Sequence, residues 1–428
     1  MSTEAIAVTL LVGVFLVLLF LRVSVAVSMG IAAIVTYAYL KLPLALVVQY
    51  TVGGVNNFTF MAVPFFILGG ELINQGGIGD RLVKLADELV GWMHGGSAMV
   101  NVLASMFFGG ISGSAPADIA ALGPIEIKLM ESQGFSREYS TGLTCATAVQ
   151  GMLIPPSHNL VIYAVAAGSV SIGALFLAGL PAGIFLGVVL AIYSYIYARR
   201  RNISSGHKFN LKRTGKAFFE AFGGLMTIVI IFAGVTAGIM TATESAAVAA
   251  LWSFLCAFFI YRDVPLKKYY EIATAAIKML STIMILLAIA NAFGWVVAYL
   301  RIPNKVAAAI LSVTDSKLLI LVLINLLILF LGCIMSISSI LLIITPIIVP
   351  ILNALDYNLV QFGVVMILNL GVGLLTPPVG AALYVGSAVS GLGVGKTAKS
   401  LLPFYLIMVA TLFALAFIPG ISRIFGAW

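Results

Sequence analysis

The chain has 428 residues, 62% of them hydrophobic and 9% charged, with a formal net charge of +8 and a mean hydropathy of +1.15. This balance excludes a soluble protein of that length and makes the bilayer the solvent; long apolar runs without alternation exclude a spanning β-barrel. The basic excess fits membrane orientation better than nucleic-acid binding, and Cys145, Cys256 and Cys333 sit in apolar runs with neither metal-ligand spacing nor a disulfide framework.

Taken in units of roughly 20 apolar residues, the chain opens with spans at 4–21, 24–41 and 59–76. No basic region precedes the first run and no small-residue cleavage site follows it, so it reads as a retained span. Residues 77–94 place Leu82, Leu85, Leu89 and Trp92 on one helical face, which suits an arm lying in the membrane interface or a solvated connecting helix. The stretch 97–132 is apolar but broken by ISGSAPAD; spans at 138–163 and 171–198 follow, and the polar run 199–216 (RRRNISSGHKFNLKRTGK) is a linker. The second half has spans at 218–241, 244–261 and 276–300, an arm at 302–315, a stretch at 317–354 broken by SISS, and spans at 360–385 and 397–419.

The two halves match. Pro124 pairs with Pro346 and Pro155–Pro156 with Pro377–Pro378, each 222 residues on, and the same register pairs Phe108, Gly110, Ser114, Ile125, Gly151 and Leu153 with identical residues. Duplicated apolar segments interrupted by Gly and Pro mark the binding site of a secondary transporter. Each broken stretch is either two full spans or a re-entrant hairpin. Hairpins give each repeat five crossings, and an odd number inverts the second repeat (217–428) relative to the first (1–198). The expected fold is therefore an all-α polytopic membrane protein of two inverted-topology repeats, with paired hairpins and broken helices. Placing Met1 outside puts Lys41, Arg301, Lys305, Lys317 and Arg423 on outer ends and the other 18 of 23 basic residues on cytoplasmic ends, as the positive-inside rule requires. Both termini are then on the outer side.

A hairpin turning at membrane depth exposes helix N-termini, which favour anions, and unwound carbonyls and hydroxyls, which suit a dehydrated alkali cation. Paired prolines force the partner helices to unwind. The expected cation ligands are Ser112, Gly113, Ser114, Asp118, Gly151, Ile154 and Pro155 in the first repeat. In the second they are Gly332, Ser336, Ser338, Gly373, Thr376 and Pro377. One site per repeat implies two or more coupling cations. The expected substrate wall is Ser114, Pro156, Ser157, Asn159, Ser338, Ser339, Val379 and Gly380, at the midplane where the halves meet. No Arg or Lys occurs there, so hydroxyls and helix N-terminal amides would hold a substrate carboxylate. Asp118 either completes a cation shell or caps its helix. Glu71 and Glu244 read as capping or inter-helix groups rather than proton sites; His158 follows the first Pro-Pro and is a candidate to face substrate, although it has no partner 222 residues on. No arrangement of His, Asp and Glu suggests an enzyme.

The blocks FFGGISGSAPADIAALGPI, MLIPPSHNLVIYAV followed by SIGALFLAGLPAG, GIMTATESAAVAAL, and FGVVMILNLGVGLLTPPVGAALYV resemble the large membrane subunit of tripartite ATP-independent periplasmic (TRAP) transporters. The likeness covers nearly the whole chain; TAT at 241–243 departs mildly from the family's usual TPT. It implies sodium-driven uptake of organic acids across the bacterial inner membrane by an elevator movement. It also implies two partners, a small four-helix membrane subunit and a periplasmic substrate-binding protein. Because the sequence starts at its first span, the small subunit is expected as a separate chain. Among subtypes the sequence looks most like sialic acid transporters, with C4-dicarboxylate and sugar-acid members sharing the motifs. A sodium/dicarboxylate symporter working without a binding protein is the alternative.

Overall fold

A computed structural model of the chain describes residues 3–21, 23–56, 58–203, 206–313 and 316–426. Both chain ends, the basic residue Arg22, the linker position Ser205 and the end of the 302–315 arm (Thr314, Asp315) lie outside the described residues.

The first half forms α1 (Thr3–Phe20), α2 (Val25–Tyr39), α3 (Ala45–Val55), α4 (Ala62–Gln75), α5 (Ile78–Val90), α6 (Gly96–Ser112), α7 (Ala115–Ser132), α8 (Arg137–Gly151), α9 (His158–Ala167) and α10 (Ile172–Arg200). The second forms α11 (Leu211–Thr236), α12 (Ala242–Leu255), α13 (Tyr269–Tyr299), α14 (Ile302–Val313), α15 (Lys317–Gly332), α16 (Ile337–Ala354), α17 (Leu359–Leu375), α18 (Ala381–Ser390), α19 (Val394–Ser400), α20 (Leu402–Phe417) and α21 (Pro419–Ser422). Side-chain caps set many starts: Ser136 accepts from the Tyr139 amide at 3.3 Å, Asn358 from Val360 and Gln361, and Thr241 with Glu244 closes a capping box. Glu244 is thus the cap its context suggested, and Glu71 takes a hydrogen bond from Gln75 within its own helix.

Among the described residues six helices are long and apolar enough to cross a membrane, or seven when the pair α19–α20, bent by 51°, is one span. Of the shorter apolar helices, the hairpin arms α6 and α15 and the broken-span halves α9, α17 and α18 are each bounded by the polar or proline-bearing interruption, whereas the arm α16 is itself one of the six. Residues 42–58, outside every expected span, contain α3, packed on α13; it is too short to span and carries no helical polar–apolar periodicity to mark it. In the first arm, helix α5 ends at Val90 and leaves Trp92 45% exposed. Its apolar face is Ile78, Leu82, Val83, Leu85 and Ala86, covered by α6 and α11, so protein rather than lipid receives it.

The repeats interlock. In the first, α6 and α7 form a hairpin against α8; in the second, α15 lies on α17 with α16 beside it. The second half of each broken span crosses to the other repeat: α9 packs on α16, and α18 packs on α7. Every residue of α8 from Tyr139 to Gly151 and of α17 from Val360 to Leu375 is buried. These two helices form the centre of the largest apolar cluster, and Tyr163 of α9 donates to the Leu359 carbonyl at 2.7 Å. Around this module stand α1–α4 and α11–α13, joined chiefly by α4 on α12 and by α2 and α3 on α13.

Candidate functional site

The first hairpin turns at Ser112–Gly113–Ser114. Gly113 has φ +60°, and a Cβ there would also press on Ser157, the Pro156 carbonyl and His158, so only glycine fits the turn. Asn159 donates from Nδ2 to the Gly113 carbonyl at 3.1 Å, which fastens the tip to the start of α9. The second hairpin turns through Cys333–Ser336, and its Cys333 carbonyl accepts from the Val379 amide at 3.2 Å. Each tip is therefore tied to the residues just past its own Pro-Pro break, where both Pro155–Pro156 and Pro377–Pro378 are cis. Above the tips the helices touch backbone to backbone. A Cβ on Gly151 would lie 2.7 Å from Gly109 Cα, and one on Gly373 would lie 2.7 Å from Gly332 Cα.

Both tips and both breaks line one cavity of about 350 Å³, within the range of small-molecule sites. Its polar side chains are Ser114, His158, Asn159, Ser336 and Ser338. The rest includes Pro116, Met152, Met279, Cys333, Met335, Leu374, Val379 and Gly380, with no Lys or Arg among them. Helices α7, α9, α16 and α18 all begin here, so the N-terminal ends of four helices gather at one volume. A second cavity of about 560 Å³ shares His158, Met279, Ser336 and Ser338 with the first and continues along Ser24–Ala26 of α2 and Thr282–Leu286 of α13.

Of the expected substrate wall, Ser114, Asn159, Ser338, Val379 and Gly380 meet in the first cavity. Ser339 lines the second. Ser157 is fully buried, with its hydroxyl lacking a hydrogen-bond partner, and Pro156 is buried behind the first tip. The expected cation ligands gather in two places. In the first repeat the Ser112–Gly113–Ser114 turn meets the unwound segment after Gly151, and the Pro155 carbonyl faces Gly110, whose Cβ would stand 3.2 Å away. Ile154 contributes packing through its side chain, against Gly110 and Gly183. Asp118 does not cap its helix: Oδ1 is 3.5 Å from the Ser105 hydroxyl and Oδ2 has no partner. In the second repeat Gly332 and Gly373 touch, Ser336 caps α16 by accepting from the Ser339 amide, and Thr376 donates to the Val372 carbonyl. Thr376 is followed by Pro377 and the cavity-lining Val379.

His158, placed by its position after the first Pro-Pro as a residue that could face substrate, lines both cavities. Two features escaped the sequence reading. The apolar lining, such as Met152 and Met279, has no sequence signature that separates it from core. Glu126, buried in α7 with the Thr144 hydroxyl beside its carboxylate, stands two helical turns from Asp118. The signal for Glu126 was available: its counterpart 222 residues on is Ile348, as that of Asp118 is Ile340, so one hairpin carries buried acids where the other carries isoleucine.

Duplicated hairpins closing with duplicated helix breaks around one cavity define a secondary-transporter permease. The family described as the tripartite ATP-independent periplasmic transporter, DctM component, matches residues 12–421, and the chain belongs to it. It is similar to the isethionate TRAP transporter permease protein DctMQ of Oleidesulfovibrio alaskensis, 36% identical over 97% of this chain and 66% of that one. It thus spans just under two thirds of that relative. It is also similar to the sialic acid TRAP transporter large permease protein SiaM of Vibrio cholerae, at 38% identity over 87% of each chain. The C4-dicarboxylate TRAP transporter large permease protein DctM of Pseudomonas aeruginosa is 37% identical over 87% of each. Among solved structures, the Alcanivorax borkumensis YdaH transporter shares the fold, with a TM-score of 0.64 at 16% identity over 86% of this chain and 87% of that one. The chain is a multi-pass membrane permease and not an enzyme.

Proposed function

We propose that this chain carries a carboxylated organic solute across the bacterial inner membrane by sodium-coupled secondary transport, with sialic acid the favoured substrate and a C4-dicarboxylate or sugar acid the alternatives. The cavity shared by both hairpin tips and both breaks supports this most strongly: it is small-molecule sized and offers hydroxyls and four helix starts, without a basic side chain, to an anion. Such a site holds its anion weakly, which fits delivery by a periplasmic binding protein. A small four-helix membrane subunit would complete the system.

Sodium would sit behind each tip. The first site would use Ser112–Ser114, Asp118 and the carbonyls of Gly151, Ile154 and Pro155; the unpartnered Asp118 Oδ2 and Ser157 hydroxyl are the buried oxygens that a cation would satisfy. The second would use Gly332, Ser336, Ser338, Gly373, Thr376 and Pro377, all neutral oxygens. Bound sodium supplies positive charge beside the helix starts and favours the anion between them. The module of hairpins and broken spans would move against α1–α4 and α11–α13 as an elevator, with both chain termini periplasmic.

Uptake by proteoliposomes containing the permease and its small subunit, with and without binding protein and a sodium gradient, tests the reading. Uptake should need both. Uptake that ignores the binding protein would favour the symporter alternative, and uptake driven by protons alone would remove sodium coupling.

A further inference from the structure

We propose that His158 and Asn159 form a hydrogen-bond-accepting wall that makes the cavity prefer carboxylates bearing hydroxyl or amide N–H groups over carboxylates without them. The inference rests on the carboxylate reading above and narrows its substrate class.

The argument runs through what each side chain has left to offer. Asn159 spends its amide N–H on the Gly113 carbonyl at 3.1 Å, which fixes the side chain's orientation and leaves Oδ1 as an acceptor. His158 turns its Nδ1 toward the same tip, where a Cβ on Gly113 would lie 3.3 Å away, with the Ser112 backbone against the ring. The nitrogen turned to the tip backbone, whose carbonyls only accept, is assigned the proton. No carboxylate is in ion-pair reach of His158 among the described residues, and a neutral imidazole has one donor and one acceptor. Nε2 is therefore the acceptor. Both side chains line the cavity. The donors stand elsewhere on its wall: the Ser114 and Ser338 hydroxyls and the first amides of α7 and α16, where the carboxylate belongs.

Asymmetry between the repeats gives this direction. The residues 222 positions after His158 and Asn159 are Gly380 and Ala381, which offer no side-chain acceptor. A substrate thus meets side-chain atoms that only accept on one side, facing hydroxyls that can also donate, and is oriented by them. An acid without O–H or N–H groups leaves two acceptors unpaired when the cavity closes, a loss that a site built for donors turns into discrimination.

The experiment is ligand binding to the purified permease with its small subunit, in sodium and without binding protein, by calorimetry and thermal shift. The pairs are sialic acid against cyclohexanecarboxylate, gluconate against hexanoate, and malate against succinate. In at least one pair the hydroxylated member should bind about 3- to 10-fold more tightly. His158→Leu should bring that ratio down to about one, the loss falling chiefly on the hydroxylated member; His158→Gln, which keeps an acceptor, should retain the ratio. Equal affinity within every pair, or a His158→Leu loss that falls on both members alike, overturns the inference and leaves carboxylate transport standing. Failure of every carboxylate to bind overturns both.

Discussion

Gly109 and Gly151 let the first hairpin and its broken span meet at backbone distance: a Cβ on Gly109 would lie 2.0 Å from Gly151 Cα. No side-chain rotation relieves a backbone clash, so Gly109→Ala should destabilise the protein by about 1–3 kcal/mol or prevent folding. Gly13→Ala, with nothing within 4 Å of the new Cβ, should melt at the wild-type temperature or slightly above. The same reasoning changes how the cavity should be probed. A side chain at Gly380 would meet the Thr376 carbonyl at 2.8 Å, so Gly380→Leu would test folding before transport. Val379, 50% exposed on the cavity wall, is the better place to fill it. Glu126 carries a different expectation. A buried carboxylate without a counter-charge is costly, and its counterpart Ile348 is buried without penalty. Glu126→Ile should leave the melting temperature unchanged or raise it; a fall of several degrees would mean that the carboxylate has a partner it depends on.

At the scale of elements, the arm α5 is held at both ends. Arg81 pairs with Asp263 and lies 4.2 Å from the centre of the Tyr261 ring. At the other end His207 of the linker stands 3.3 Å from Asp87 and donates from Nδ1 to the Lys208 carbonyl. That hydrogen bond first, then the negative charges of Asp87 and Glu88, hold the His207 pKa above its ordinary value. A raised folded-state pKa means the stabilisation is complete below the unfolded value, near 6.5, and fades as pH rises through the folded one. Thermal melting across pH 5.5–8.5 should show a loss under about 1 kcal/mol that His207→Gln removes. Cysteine probes test the expected sidedness: Lys305→Cys should react from outside sealed cells and Lys267→Cys should not, and the reverse pattern would invert the topology. The hairpin tips and breaks were legible in sequence because Gly, Ser and Pro break helices by their own chemistry. The arm's covered face was partly legible, through Leu82 and Leu85. Helix α3 and Met279 were not, since an apolar residue looks the same whether it faces lipid, core or substrate.

At the scale of the whole molecule, the crossing of α9 onto α16 and of α18 onto α7 makes each repeat complete the other's half of the cavity, so neither repeat encloses a substrate alone. Replacing Asp118 with Asn should raise the sodium concentration needed for half-maximal uptake more than the matching Ile340→Asn lowers it, because only the first repeat would bring a carboxylate to the proposed cation site. The most direct measurement is sodium-gradient-driven, binding-protein-dependent uptake of a radiolabelled carboxylate in proteoliposomes, comparing wild type with Val379→Phe. Wild type should accumulate substrate, and Val379→Phe should lose accumulation while keeping its melting temperature and its assembly with the small subunit. Uptake by Val379→Phe at the wild-type rate would contradict a substrate site between the hairpin tips and the proline breaks.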